Sequence, residues 1–174
     1  MSELSTHVGD GLAWDNGAKK IVASPKYYHG YVAAGASVGA ASSQTFIGPI
    51  GAGGFIAAGD WTDGLASGIT RVDSTFTIDE AGVYKFDVNL PVASTSAYYF
   101  GVRLVGSVFG NTVPQETIVN SYNRGGDRAF LVACAAGETV TLQYAKIQGT
   151  PFAITDADLN GVAASLGTIT IVKL

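Results

Sequence analysis

The sequence predicts an all-β fold: two antiparallel sheets packed as a jelly-roll sandwich of about 8–10 strands, preceded by an extended N-terminal arm. Three observations carry this expectation. From Lys26 onward apolar segments recur at short intervals with glycine-rich or polar breaks between them. Several of these segments alternate apolar and polar residues, the period of a strand. No apolar period of three to four residues persists over a useful length, so no helix is expected.

Taken in order, "YYHGYVAA" (27–34) is the first expected strand, followed by "SQTFIGPI" (43–50). Between them "AAGASVGAASS" is alanine-rich, but Gly35, Gly39 and the serines argue for loop. "GAGGFIAAGDWTDG" reads as a flexible, glycine-rich crossing to "SGITRVDSTFTI" (67–78). After the turn "DEAG" comes "GVYKFDVNLPV" (82–92), where Tyr84, Phe86, Val88 and Leu90 share one face. Lys85, Asp87 and Asn89 share the other, so one face is buried and one is wet.

"AYYFGVRLVGSVFG" (97–110) is apolar in both phases, with Phe100, Val102 and Leu104 opposite Tyr99, Val105 and Phe109. "DRAFLVACAAG" (127–137) behaves similarly, and includes Phe130 and Val132. Strands of that kind are covered twice, by their own core and by a partner. "ETVTLQYAKI" (138–147) returns to clean alternation, and "GTITIVKL" closes the chain as a final strand. Residues 1–25 form the arm and residues 26–174 the sandwich domain.

Composition narrows the function classes. Hydrophobic residues make up 47% and charged residues 14%, which fits apolar surface reserved for partners. A net charge of −4 without a run of Lys or Arg argues against nucleic acid. No stretch reaches the roughly 18–20 apolar residues of a membrane span. The start "MSELSTHVGDGLAW" lacks the pattern of a signal peptide, so the expectation is a complete, soluble protein made in a host cytoplasm. The single cysteine, Cys134, excludes an internal disulfide and sits in an apolar run, as a small buried residue does.

The order "STFTIDEAGVYKFDVNLPV", "YYFGVRLVGSV", "GGDRAFLVACAAGETVTLQYAKI" and a closing strand resembles the globular heads of complement-type and tumour-necrosis-factor-like proteins. Gly82, Tyr84 and Phe86 match that family's "G-x-Y-x-F" pattern; Ala136, Gly137, Glu138, Val140 and Leu142 match its later "A-G-E/D-x-V-x-L" signature. The resemblance covers roughly residues 65–174 and implies a jelly roll assembled as a tight homotrimer. On that basis Tyr99, Val105, Phe109, Phe130 and Val132 are expected at the trimer interface. "VGDGLAWDNGAKKIVAS" in turn is similar to the strand–turn–strand repeats of viral fibre shafts, through Gly9, Gly11, Leu12, Asp15, Gly17, Ile21 and Val22. One copy makes an arm rather than a shaft.

Candidate chemistry is sparse. Asp156, Asp158 and Asn160 in "DADLNG" begin like a calcium loop. The closing glutamate is missing, since Gly167 stands in its place, so these residues are only weak calcium candidates and no metal or other cofactor is expected. Of the two histidines, His7 lies in the arm and His29 in an apolar strand, where a hydrogen-bonded structural role is expected. Asp60 and Asp63 are the one close acidic pair beside an aromatic, in what is also an ordinary turn. "GAGGFIAAG" lacks the lysine of a phosphate loop. Tyr98, Tyr99, Trp61 and Phe55 are either an exposed recognition patch or core residues.

The combined expectation is a non-enzymatic virion protein: a homotrimeric decoration protein on the surface of a phage capsid. Its arm, through Leu4, Val8, Leu12, Trp14, Ile21 and Val22, is expected to bind the major capsid protein and clamp adjacent capsomers. The alternatives are the receptor-binding tip of a head or tail fibre, contacting a host glycan or protein, and a free-standing lectin module.

Overall fold

A computed structural model describes residues 12–15, 20–23, 25–94, 98–112, 114–119, 127–155 and 167–174. Among them there is no α-helix, only a three-residue 3₁₀ turn at Ala58–Asp60. β1 (Leu12–Asp15) and β2 (Lys20–Ala23) pair antiparallel in a sheet of their own, which agrees with the strand–turn–strand reading of that motif. There follow β3 (Tyr27–Val32), β4 (Ser37–Val38), β5 (Trp61–Ser67), β6 (Ile69–Val72), β7 (Thr75–Ile78) and β8 (Gly82–Asn89). Next come β9 (Ala93–Ser94), β10 (Tyr98–Gly106), β11 (Gly110–Asn111), β12 (Gln115–Val119) and β13 (Asp127–Cys134). β14 (Glu138–Gln148), β15 (Pro151–Phe152), β16 (Ile154–Thr155) and β17 (Thr168–Lys173) complete the order.

Two antiparallel sheets make the sandwich. One runs β13-β8-β17-β3-β5; the other runs β11-β10-β14-β7-β6, with β12 beside β11 on the edge of β10. Alternation decides what lies between them. β8 turns Tyr84, Phe86 and Val88 inward, and β10 turns Phe100, Val102 and Leu104 to meet them. Edge-on ring contacts tie the layers together: Tyr28 to Phe76 at 5.1 Å and Phe76 to Phe86 at 6.2 Å. Each such pair adds about 0.5–1.5 kcal/mol beyond the area it buries.

Polar side chains fix the turns. The buried Glu138 accepts N–H groups of Val108 and Phe109 on one carboxylate oxygen and that of Ala135 on the other, at 2.8–3.0 Å. It thereby joins the loop after β10 to the β13–β14 turn. Glu80, in the turn before β8, accepts the Tyr84 hydroxyl on its carbonyl and Lys173 and Lys26 on its carboxylate. Tyr84 and Glu138 thus owe their places in the motifs to turn geometry. Gly82 instead leaves room for the Lys173 side chain, whose Cε a Cβ there would strike.

Several sequence expectations are corrected. Residues 43–50 form no strand: the chain runs beside β14 with one bridge, Ile47 to Tyr144, and one further bond from the Lys146 N–H to the Ser43 carbonyl. Gly48 and Pro49 then break the ladder, and Ile50 bridges to Ile56 instead. Residues 67–78 are two strands, β6 and β7, turned at Asp73, whose φ is 49°. "GAGGFIAAG" is a packed loop, with Phe55 and Ile56 in the core and the Phe55 ring edge-on to Tyr144 at 4.6 Å. β5 begins inside the supposed crossing and ends at Ser67, β12 follows a proline, and the two-residue β4 lies in the stretch expected to be loop, paired with β16.

Candidate functional site: the outer face of the five-stranded sheet

The face of β13-β8-β17-β3-β5 that points away from the core is ordered in rows across the strands, because cross-strand partners lie side by side. One row is Leu131, Lys85, Val172 and Tyr27. Beside it, Val83 pairs with Ala133, and the Leu174 N–H donates to the Val83 carbonyl. Leu131 is 66% exposed, Val83 46%, Val172 36% and Leu174 70%. Four aliphatic side chains therefore gather in water at one end of one sheet face. Single exposed apolar residues need no explanation, whereas a contiguous group marks a contact surface.

The other end of the face is polar. Ala129, Asp87, Thr170 and His29 make the next row, and Asn89, Thr168 and Tyr31 the one after. The Lys85 ammonium reaches out of the aliphatic rows to Asp87 at 2.9 Å. Nδ1 of His29 shares a 3.0 Å hydrogen bond with the Thr170 hydroxyl, the structural role expected for this histidine. Between them lies an open hollow of about 390 Å³, lined by Lys85, Asp87, Asn89, Arg128, Thr168 and Thr170 among others.

The residues expected at a trimer interface do not meet on one surface. Phe130 and Val132 point into the chain's own core, at 4% and 8% exposure, so the outward residue of β13 is Leu131 between them. Tyr99 and Val105 are half-buried on the six-stranded sheet, and Phe109 packs against the core beside Gly106. The supposed recognition patch dissolves as well, since Tyr98, Trp61 and Phe55 are buried. An aliphatic residue in the wet phase of an alternating strand, Val83 beside Lys85 and Asp87, was the available signal for this exposed aliphatic group.

Of the arm residues, Leu12, Trp14, Ile21 and Val22 lie on β1 and β2, with Trp14 opposite Ile21 and Val22 opposite Ala13. Leu4 and Val8 lie outside the described residues, as do Asp156, Asp158 and Asn160. Among the described residues no group of three potential metal ligands comes together. The Asp60–Asp63 pair separates in role: Asp63 accepts Arg71 on both oxygens and the Tyr28 hydroxyl on one. Burial pushes the Asp63 carboxyl up, but the hydrogen bonds from Arg71 and Tyr28 outweigh it and hold the group below its ordinary value. Cys134 is buried as expected, and burial raises its thiol to about 11.

No protein-family model matches the chain, and no curated protein matches it. Solved structures share its fold. Murine APRIL is 10% identical, over 86% of this chain and 99% of its own, with a TM-score of 0.56. Eiger TNF from S. frugiperda is 13% identical over 86% and 92%, with a TM-score of 0.51. The PRD1 vertex protein P5 is 14% identical over 95% and 83%, with a TM-score of 0.55. The fold is therefore the tumour-necrosis-factor-like jelly roll that the motif order implied, and it extends through most of the chain.

Proposed function

We propose that this chain is a non-enzymatic structural protein of a phage virion, assembled as a homotrimer and decorating the capsid surface. The observation that carries the reading is the aliphatic group Val83, Leu131, Val172 and Leu174, held in water on one sheet face. A second copy of the chain is the partner that always accompanies it, and a closed ring of copies covers every such face. The virion setting is supported by the sharing of this fold with a protein named for a PRD1 vertex. The arm, with its β1–β2 ladder, is the segment assigned to the major capsid protein. The non-catalytic reading is supported by the commitment of Asp63 to Arg71 and Tyr28 and by the burial of Cys134.

A second reading, the receptor-contacting tip of a fibre, is favoured by one observation, the polar hollow on the same face. Immunogold electron microscopy on particles of the virus that encodes the chain separates them. Label at many positions over the shell supports decoration. Label confined to vertices or fibre tips supports receptor contact, and unlabelled particles overturn both.

A further inference from the structure

We propose that acid takes the homotrimer apart through His29, a ring on the same sheet face as the aliphatic group. This inference deepens the homotrimer reading and rests on it. The outer face of β3 carries three rings in succession: Tyr27, His29 and Tyr31 are half-buried, whereas Tyr28, Gly30 and Val32 between them are buried. His29 shares its row with Thr170, Asp87 and Ala129, and the adjoining row is Tyr27, Val172, Lys85 and Leu131. With rows about 7 Å apart and strands about 4.8 Å apart, the whole face spans about 500 Å². A stable interface takes about 800 Å² from each partner. A second copy seated on Val83, Leu131, Val172 and Leu174 therefore needs the whole face, and covers the His29 ring with it.

An imidazole changes charge between about pH 5 and 8, and withdrawing it from water disfavours the charged form. The neighbours of His29 supply no counter-charge. Its own strand gives Tyr27 and Tyr31, the latter with its ring 6.0 Å away. On β17 the Thr170 hydroxyl meets Nδ1 at 3.0 Å and serves either protonation state, because it both donates and accepts. Beyond it on β8, Asp87 is engaged by Lys85 at 2.9 Å. On β5, Gly64 lies against the ring without a side chain: a Cβ there would stand 3.5 Å from Cδ2 of His29. The Asp63 carboxylate of that strand is held by Arg71 and Tyr28. The uncharged ring is therefore the one that fits beneath a second copy. Separated chains bind more protons, so association is complete above the histidine range and is lost as pH falls through it. With one such proton per chain, the dissociation constant of the trimer rises by up to about 1,000-fold per pH unit.

The experiment is the solution mass of the full chain by light scattering at about pH 8 and about pH 5, with circular dichroism on the same samples. The carboxyls of Asp63 and Glu138 are held below their ordinary 3.8 and 4.5, so the lower value leaves both charged and the fold intact. The expected masses are three times 17.9 kDa at the higher value and 17.9 kDa at the lower. His29→Asn keeps an amide where Nδ1 meets Thr170 but cannot charge, and is expected to stay trimeric at both. His7→Asn changes the other histidine and is expected to dissociate like the parent. A parent trimeric at both values overturns the inference and leaves the homotrimer standing. A His29→Asn protein that is monomeric at either value also overturns it, as does a His7→Asn protein that stays trimeric in acid. A parent already monomeric at the higher value overturns the homotrimer, and this inference with it.

Discussion

Arg71 and Asp63 form a two-pronged ion pair across the β5–β6 corner, with Nε to Oδ1 at 2.6 Å and Nη2 to Oδ2 at 3.2 Å. The same carboxylate takes the Tyr28 hydroxyl, which itself accepts the Trp61 indole N–H at 2.9 Å. β5 belongs to one sheet and β6 to the other, so this network fastens the layers where the chain changes sheet. Arg71 is nearly buried whereas the Asp63 side chain is 48% exposed, so removing the carboxylate leaves a desolvated guanidinium with only the Asp73 carbonyl to accept from it. Asp63→Ala is expected to cost about 1–3 kcal/mol in urea unfolding, the low end reflecting solvent at the carboxylate. Because the folded Asp63 titrates below its ordinary 3.8, its contribution is complete above that value and is lost as pH falls through the folded one. The parent should therefore lose stability below about pH 4 more steeply than the variant.

Glu138 makes a sharper acid prediction, because it is buried and accepts three backbone N–H groups. Burial opposes its ionisation, yet those donors hold its carboxyl below the ordinary 4.5. Its contribution, too, is present above that value and fades as acid protonates the folded protein. Glu138→Gln points an amide N–H at a backbone N–H. It should cost about 2 kcal/mol, read as a fall of about 4–8 °C in Tm for a chain of this size. An unchanged Tm contradicts the account of the A-G-E motif.

Cys134 lies 5% exposed on the inward phase of β13, with its thiol raised to about 11 by burial. Relative to an exposed cysteine it forms about a hundredfold fewer thiolates near neutral pH. A disulfide reagent should thus label the native protein slowly and the urea-unfolded protein at once. Rapid stoichiometric labelling without denaturant would remove Cys134 from the core.

Leu131 is the outward residue between Phe130 and Val132. Leu131→Asp places a charge in the aliphatic group and leaves the core untouched, so the variant should fold with the parent's circular dichroism but fail to self-associate. Val132→Asp, by contrast, should fail to fold, since it buries a charge without a partner. A Leu131→Asp protein with the parent's solution mass would move the interface elsewhere.

Much of the fold was legible because alternation is a local signal. "GVYKFDVN" announces β8 residue by residue, and "ETVTLQY" announces most of β14. β5 was not legible, because "DGLA" is exposed throughout, on an edge strand that carries no alternation. Residues 43–50 misled for the opposite reason: they do run beside a strand, but with a single bridge and one further backbone hydrogen bond rather than a ladder. For the candidate site the sequence showed that β13 is apolar in both phases without showing which phase faces water. Burial of Phe130 and Val132 follows from their registers with Phe86 and Tyr84 on β8, a long-range pairing no local pattern contains.

The most direct test of the central claim is the solution mass of the purified chain by light scattering. The account predicts a species of three times 17.9 kDa that Leu131→Asp reduces to one. A parent chain that remains at 17.9 kDa across the accessible concentrations would contradict the homotrimer and leave the aliphatic face without the partner assigned to it.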